Sequence, residues 1–243
     1  MSGQNYLIIG NHFFQGDAIA NGIRTAGVVL AEPSASCIFS NSYVDNAFLE
    51  WTNERDATPS SGIGFSFSAL DVTSNIFLSG DVSSSFSFLV ITPYGSGHYL
   101  NGLNVTGNRF RSINGSITRA ERVDTSFADL DFTRTRNVRF EGNSFLGITR
   151  PVSSPLHVEM QENTAQQTWV VDTGPGLPFA ARALSIDAVA VRGGVRNASN
   201  QRNYDHPFVR AQQGPDSDQV HVIWSEAVRG KISVLVRMDN DVV

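Results

Sequence analysis

The chain has 243 residues, of which 41% are hydrophobic and only 17% are charged. This composition can supply a hydrophobic core, and its many uncharged polar residues suit strands and turns better than helices. The net charge of −5 argues against a nucleic-acid partner, the single cysteine excludes an intrachain disulfide, and no apolar run is long enough for a transmembrane helix.

One motif, Asn-x-aromatic, recurs five times along residues 1–150, with spacings of 30, 34, 33 and 35 residues between successive Asn residues. Gly or Ser precedes every Asn, and an apolar residue stands three positions before it. The Asn and aromatic members of the five motifs are, in chain order, Asn11 and Phe13, Asn41 and Tyr43, Asn75 and Phe77, Asn108 and Phe110, and Asn143 and Phe145.

The repeat predicts a parallel β-helix. Apolar residues at alternate positions before each Asn indicate a strand with one buried face, and the Gly/Ser-Asn pair indicates a bend. One repeat cannot bury its apolar face alone, so the repeats stack about 4.8 Å apart. The aromatic residues then form an internal column and the Asn side chains a hydrogen-bonded ladder. We therefore expect an all-β chain that begins with a right-handed parallel β-helix of about five rungs over residues 1–150.

The repeat stops at Pro151. Short alternating segments separated by Gly-rich turns follow it, and the last of them places Ile232, Val234, Val236 and Met238 on one face. This pattern predicts a small antiparallel β-sandwich-like domain over residues 151–243. Because so small a domain has a limited core, we expect it to serve oligomerisation or binding.

The Asn-x-aromatic repeat resembles the pectin-lyase-like superfamily of right-handed parallel β-helices, over roughly residues 4–150. That superfamily includes pectate lyases, polygalacturonase-like hydrolases and phage tailspikes. A first rung close to Met1, no visible signal peptide and a β-rich second half are closest in character to trimeric tailspike and gene-transfer-agent spike proteins. The resemblance implies a homotrimer, made in the cytoplasm and carried on a virion-like particle or found outside the cell. It also implies cell-surface capsular polysaccharide as a ligand and a phage-like capsid or tail protein as a further partner. The five His residues show no metal-ligand spacing, and with the charge and hydropathy above we expect no cofactor, metal, nucleic acid or membrane.

The strand register predicts which side chains face outward, at positions four and two before each Asn. They are apolar in the first two rungs, at Leu7, Ile9, Cys37 and Phe39, and we expect these to pack against another chain or a long loop unless the register is off by one. In the later rungs they are polar and form either an ordinary solvated surface or a sugar-binding one. The predicted carbohydrate-binding residues are Asp71, Thr73, Asn104, Thr106, Arg109, Arg139, Glu141 and the aromatic Trp51, with Tyr94 and Tyr99 as further aromatic candidates.

Cleavage of a polysaccharide would need two carboxyl groups about 5–9.5 Å apart. Asp129 and Asp131 fit if they are alternate residues of a strand, about 6.6 Å apart. The 23 acidic residues guarantee that some pair fits, so the leading prediction is a non-catalytic carbohydrate-binding spike or fibre. A polysaccharide depolymerase, either hydrolase or lyase, is the alternative, and a structural adhesin without a sugar ligand is a third.

Overall fold

The computed structural model describes residues 5–16, 23–54 and 67–240. The contacts between Cα atoms divide the chain into two compact units at the junction between Val152 and Ser153. The first unit is a parallel β-solenoid of about four turns, and the second is an antiparallel sheet, which confirms the predicted fold class.

Each turn of the solenoid contributes one strand to each of three parallel sheets, which we call faces A, B and C. Face A consists of β1 (Tyr6–Ile9), β4 (Ser34–Ser40), β7 (Ser68–Thr73), β10 (Asn101–Thr106) and β13 (Arg136–Glu141). Face B consists of β2 (His12–Phe14), β5 (Tyr43–Asp45), β8 (Ile76–Gly80), β11 (Arg109–Ile113) and β14 (Ser144–Leu146). Face C consists of β3 (Ala26–Leu30), β6 (Phe48–Thr52), β9 (Leu89–Thr92) and β12 (Glu121–Val123). Among the described residues, four turns therefore contribute a strand to all three faces, and β13 and β14 begin a fifth.

The bend from face A to face B holds the predicted ladder of amides. The side-chain oxygen of Asn108 accepts hydrogen bonds from the backbone N–H of Asn75 at 2.9 Å and from its side-chain amide at 3.0 Å. Asn143 accepts the equivalent pair from Asn108, at 2.9 and 3.1 Å. Because Asn75 and Asn108 are each only 1% exposed, the ladder satisfies buried polar groups that would otherwise be costly.

The second turn departs from the predicted register by one residue. Ser42, not Asn41, occupies the ladder: its hydroxyl accepts from the N–H of Asn11 at 3.2 Å, and its own N–H donates to Asn75 at 2.9 Å. Asn41 instead has a φ of +49°, the left-handed conformation that Gly107 has at the same bend, with a φ of +66°. Asn tolerates that conformation and a hydroxyl can replace the amide, so the motif places this turn one position too early.

The shift also changes the interior column. Phe77 stacks on Phe110 at 5.0 Å, and Phe110 on Phe145 at 5.6 Å, as predicted. However, Val44 rather than Tyr43 lies in register between Phe13 and Phe77, so the prediction for Tyr43 was wrong. Phe39 of face A lies beside this smaller valine, between the two aromatic rings. Its ring centre is 5.8 Å from that of Phe13 and 6.2 Å from that of Phe77.

The second unit is organised around one long strand, β19 (Gln219–Arg237), with which its other strands pair antiparallel. The partners are β15 (Leu156–Asp172), β16 (Ser185–Val191), β17 (Arg196–Asn197) and β18 (Phe208–Gln213). The four alternate residues from Ile232 to Met238 are fully buried, as their spacing predicts. Trp169 and Trp224 pack against each other at 5.3 Å and complete this core.

The described part of the chain contains little helix. Short 3₁₀ turns occupy Phe132–Arg134 in the solenoid and Gly174–Gly176 and Pro178–Ala180 in the second unit. Among the described residues, none of the helical segments has the length and hydrophobicity to cross a membrane.

Candidate functional site

The polar residues predicted from the register project from face A in two parallel columns. Six of them lie together on β7, β10 and β13: Asp71, Asn104 and Arg139 in one column, and Thr73, Thr106 and Glu141 in the other. The Arg139 guanidinium and the Glu141 carboxylate are paired at 2.5 Å. These columns carry no aromatic side chain, so face A offers hydrogen-bonding groups without a surface on which a sugar ring could stack.

The apolar end of face A is only partly as predicted. Leu7 and Ile9 are 71% and 52% exposed, but Cys37 and Phe39 are buried, and Ile38 is the outward residue of the second turn. The prediction was wrong for Cys37 and Phe39 because the register shifts by one residue there. Burial, with the nearby Asp71 carboxylate, raises the pKa of the Cys37 thiol to about 11.

Two aromatic candidates for sugar binding belong to the core. Trp51 is fully buried, and its indole N–H donates to the backbone oxygen of Glu32 at 3.0 Å. Tyr99 is 7% exposed and lies beneath the guanidinium of Arg134, 4.2 Å from the ring centre. The prediction of Trp51 as a sugar platform was therefore wrong.

Arg109 is exposed, but it projects from face B, in register with Ile76 and Ser144. It therefore belongs to a different face from the six polar residues with which it was grouped.

Asp129 and Asp131 do not lie on a strand. They belong to the irregular segment that leads into the 3₁₀ turn at Phe132–Arg134. Asp129 accepts a hydrogen bond from the N–H of Leu130 at 2.8 Å, and Asp131 accepts from the N–H of Thr133 at 3.1 Å and from its hydroxyl at 2.5 Å. Both carboxylates thus stabilise local turns, and the strand geometry assumed for a catalytic pair was wrong.

The surface over face C carries both aromatic and charged side chains. Its central outward column, read from the strand register, is Val29, Glu50, Val90 and Arg122, of which Val90 is buried beneath neighbouring side chains and the other three are half-buried. Residues 83–87, which lead from face B into this face, border the column and form a depression of about 220 Å³ with Val90 and Arg122 in its lining. On the other side, residues 93–100 and 124–135 connect face C back to face A. We call the surface between these two sets of connections the face C groove.

A partly exposed aromatic pair lies on one side of this groove. Tyr94 and Phe127, from two successive connections, stack with ring centres 4.2 Å apart and an angle of 18° between the rings. The Phe127 side chain is 61% exposed. Asn53 fixes the backbone of Tyr94 with two hydrogen bonds, of 2.8 and 2.6 Å. The pair is therefore a positioned platform with an accessible aromatic ring.

Three carboxylates lie near enough to the Tyr94 phenol for their charges to act on it. Partial burial, and then the charges of Glu54, Glu50 and Asp124, raise the pKa of Tyr94. Glu50 also accepts a hydrogen bond from the Thr92 hydroxyl at 2.8 Å. A carboxylate that retains free acceptor positions can bind the hydroxyl groups of a ligand.

Asp124 is the most firmly held of the three carboxylates. A hydrogen bond from the Ser126 hydroxyl at 2.6 Å, together with the guanidinium of Arg122 at 3.0 Å, lowers the pKa of Asp124. The carboxylate is therefore ionised at neutral pH, in an orientation fixed from two sides.

Clustered metal-ligating side chains are absent from the described part of the chain. In residues 5–16, 23–54 and 67–240, no cluster of three or more His, Cys, Asp and Glu side chains could hold a metal ion. No protein-family model, curated protein or solved structure matches the chain. Its own geometry is therefore the basis on which a function can be argued.

The face C groove could not be found from the strands that flank the Asn motif, because it is built from the connections between other strands. A signal was present, since Tyr94 and Phe127 are separated by 33 residues, which is one interval of the repeat. Side chains one interval apart become neighbours on adjacent turns. A search for aromatic residues in the connections at that spacing would have found the pair.

Proposed function

We propose that the chain is a receptor-binding spike or fibre protein of a phage-like particle, and that it binds cell-surface, capsular polysaccharide in the face C groove. The observation that carries this proposal is the Tyr94–Phe127 pair, with its exposed Phe127 ring, near the carboxylates of Glu50, Glu54 and Asp124. A polysaccharide presents ring faces with C–H groups that pack on aromatic rings, and hydroxyl groups that donate to carboxylates. Both kinds of group lie together in the face C groove, where the aromatic pair has carboxylates near it.

The form of the solenoid supports a role in attachment. Every turn is hydrogen-bonded to its neighbours on three faces, which gives the stiffness that an extended receptor-binding element needs. The outward apolar side chains of Leu7, Ile9 and Ile38 favour contact with further copies of the chain. A homotrimer, the assembly of the tailspikes that the repeat resembles, would cover them.

The test is binding of capsular polysaccharide by the purified chain, found on a glycan array and then measured by titration. Phe127→Ala removes the exposed ring, and we expect it to weaken binding by about tenfold, because a stacked ring contributes on the order of 1 kcal/mol beyond its buried area. Phe14→Ala is the matched control, since Phe14 is 60% exposed but lies on face B. Equal losses in the two variants, or none in either, would contradict a site in the groove.

Cleavage of the bound polysaccharide is a second candidate function. The grouping of Glu50, Glu54 and Asp124 around one phenol favours it, because glycoside hydrolysis uses two carboxyl groups with different roles. Release of new reducing ends by the wild-type chain, abolished by Glu50→Gln or Asp124→Asn, would indicate a depolymerase. Retention of intact polysaccharide would indicate a binding protein.

A further inference from the structure

Four cationic side chains come together on the antiparallel unit. Arg192, Arg196, Arg229 and Lys231 line a depression of about 450 Å³, in which Glu162 is the only acidic residue of the lining. The concentration is notable in a chain whose net charge is −5. Arg192 directly follows β16, Arg196 belongs to β17, and Arg229 and Lys231 belong to β19. The strands of the sheet therefore set the positions of all four residues.

The three arginines retain donors for a ligand. Each makes a hydrogen bond to an uncharged group: Arg192 to the Ser233 hydroxyl at 3.3 Å, and Arg196 and Arg229 to Asn200 at 2.9 and 3.1 Å. None of them lies within ion-pair distance of a carboxylate of the described residues. Lys231 is paired with Glu159, and the charge of Arg192 acts on the same carboxylate from farther away. A guanidinium has five N–H donors and matches a carboxylate with two parallel hydrogen bonds. The depression therefore has unused capacity to bind an anion.

A second cavity adjoins this depression and shares Gly194 with it. Its volume is about 340 Å³, a size typical of a site for a small ligand, and its lining combines the apolar Val189, Val195 and Trp224 with the polar Arg202, Asp205 and His206. The rim carries Tyr204, which is 84% exposed. The buried indole N–H of Trp224 has no acceptor among the described residues. One side of the combined cavity thus offers apolar and aromatic surface among polar groups, and the other is cationic.

We propose that the two adjoining cavities form a binding site for an acidic sugar residue of a glycan. The ring lies in the cavity beside Tyr204, and its carboxylate is held by Arg196 and Arg229, with Arg192 adding positive charge. A neutral sugar would leave the arginines without their anion, and a small inorganic anion would leave the second cavity empty. A uronic acid residue has both a sugar ring for the second cavity and a carboxylate for the arginines. This site lies wholly in the antiparallel unit and does not rest on the proposed function of the face C groove.

The test uses the full chain and hexagalacturonate as the probe, with neutral maltohexaose as the comparison ligand, both measured by titration calorimetry. We expect hexagalacturonate to bind, and the double variant Arg196→Gln/Arg229→Gln to bind it at least about tenfold more weakly, because each charge-assisted hydrogen bond is worth more than a neutral one. Tyr204→Ala weakens it by about threefold or more. Arg182→Gln, which changes an exposed arginine of the same unit outside the depression, leaves binding unchanged.

Several results would overturn the proposal. They are no binding of hexagalacturonate at millimolar concentration, equal binding of maltohexaose, an equal loss in Arg182→Gln, or no loss in the double variant. If Phe127→Ala alone weakened the binding of hexagalacturonate, the uronate would bind in the face C groove and not in the antiparallel unit. Conversely, failure of capsular polysaccharide to respond to Phe127→Ala leaves this site intact, so the two proposals fail separately. Should the double variant not fold by circular dichroism, Arg192→Gln provides an independent test of the same cationic surface.

Discussion

The amide ladder offers the sharpest test of the register within the solenoid. Asn108→Ala removes four hydrogen bonds: two accepted from Asn75, one donated to the backbone oxygen of Val72 at 2.8 Å, and one donated to Asn143. The buried N–H of Asn75 is then left without its acceptor. At about 1 kcal/mol for each lost hydrogen bond, and more for an orphaned buried donor, we expect the free energy of unfolding to fall by about 3 kcal/mol or more.

Asn41→Gly is the matched change in the second turn. Asn41 is exposed, has a φ of +49°, and makes only one long side-chain hydrogen bond, to the Ser40 hydroxyl at 3.4 Å. Glycine relieves the cost of the left-handed conformation and adds a similar entropy to the unfolded chain, so the net change should be within about 0.5 kcal/mol.

Urea unfolding followed by far-ultraviolet circular dichroism measures both variants, after incubation long enough for equilibrium. If Asn41→Gly destabilised the protein as much as Asn108→Ala, then Asn41 would belong to the ladder and the placement of Ser42 in the second turn would be refuted. A loss of less than about 1 kcal/mol in Asn108→Ala would show that the buried amides contribute little.

Two further predictions concern the thiol and the assembly. Because burial and Asp71 raise the pKa of Cys37 to about 11, the thiol stays protonated at pH 8 and should react with Ellman's reagent only after unfolding in urea; rapid labelling of the folded chain would contradict its inward orientation. If Leu7, Ile9 and Ile38 are covered by other copies, light scattering should give a multiple of 26.4 kDa, threefold for a trimer, and Ile38→Asp should reduce it; a monomeric mass for the wild-type chain would remove the trimer from the proposal.

The sequence was sufficient to predict the solenoid because the same physical demand recurs at every turn. Each bend needs a residue that tolerates positive φ, followed by a side chain that can bond both to the backbone and to the next turn. Asn75, Asn108 and Asn143 all provide this side chain as an amide, so the repeat can be recognised in the sequence from their spacing. In the second turn, Ser42 makes the corresponding hydrogen bonds with its hydroxyl and its backbone N–H. A motif defined by Asn therefore selects Asn41, one residue too early.

The candidate binding surface was harder to predict, because the connections between strands do not share the repeated requirements of the bends. Asp129 and Asp131 have the spacing of alternate strand residues in the sequence. The segment instead forms turns, because both carboxylates accept hydrogen bonds from nearby backbone N–H groups. Trp51 has the residue type of a sugar platform, but its strand is inward at that position. Burial depends on the register of face C, which lacks the Asn marker that identifies faces A and B.

The repeat interval nevertheless extends into the connections, and this has a consequence for function. Tyr94 and Phe127 are one interval apart and stack, so the solenoid brings side chains from successive connections as close as those from successive strands. A ligand that contacts one turn is therefore within reach of the next, at a spacing set by the strands. Because the strands hold that spacing constant, the connections can change their side chains without disturbing the core. Recognition can thus vary in the connections, while the ladder and the aromatic column keep the scaffold the same.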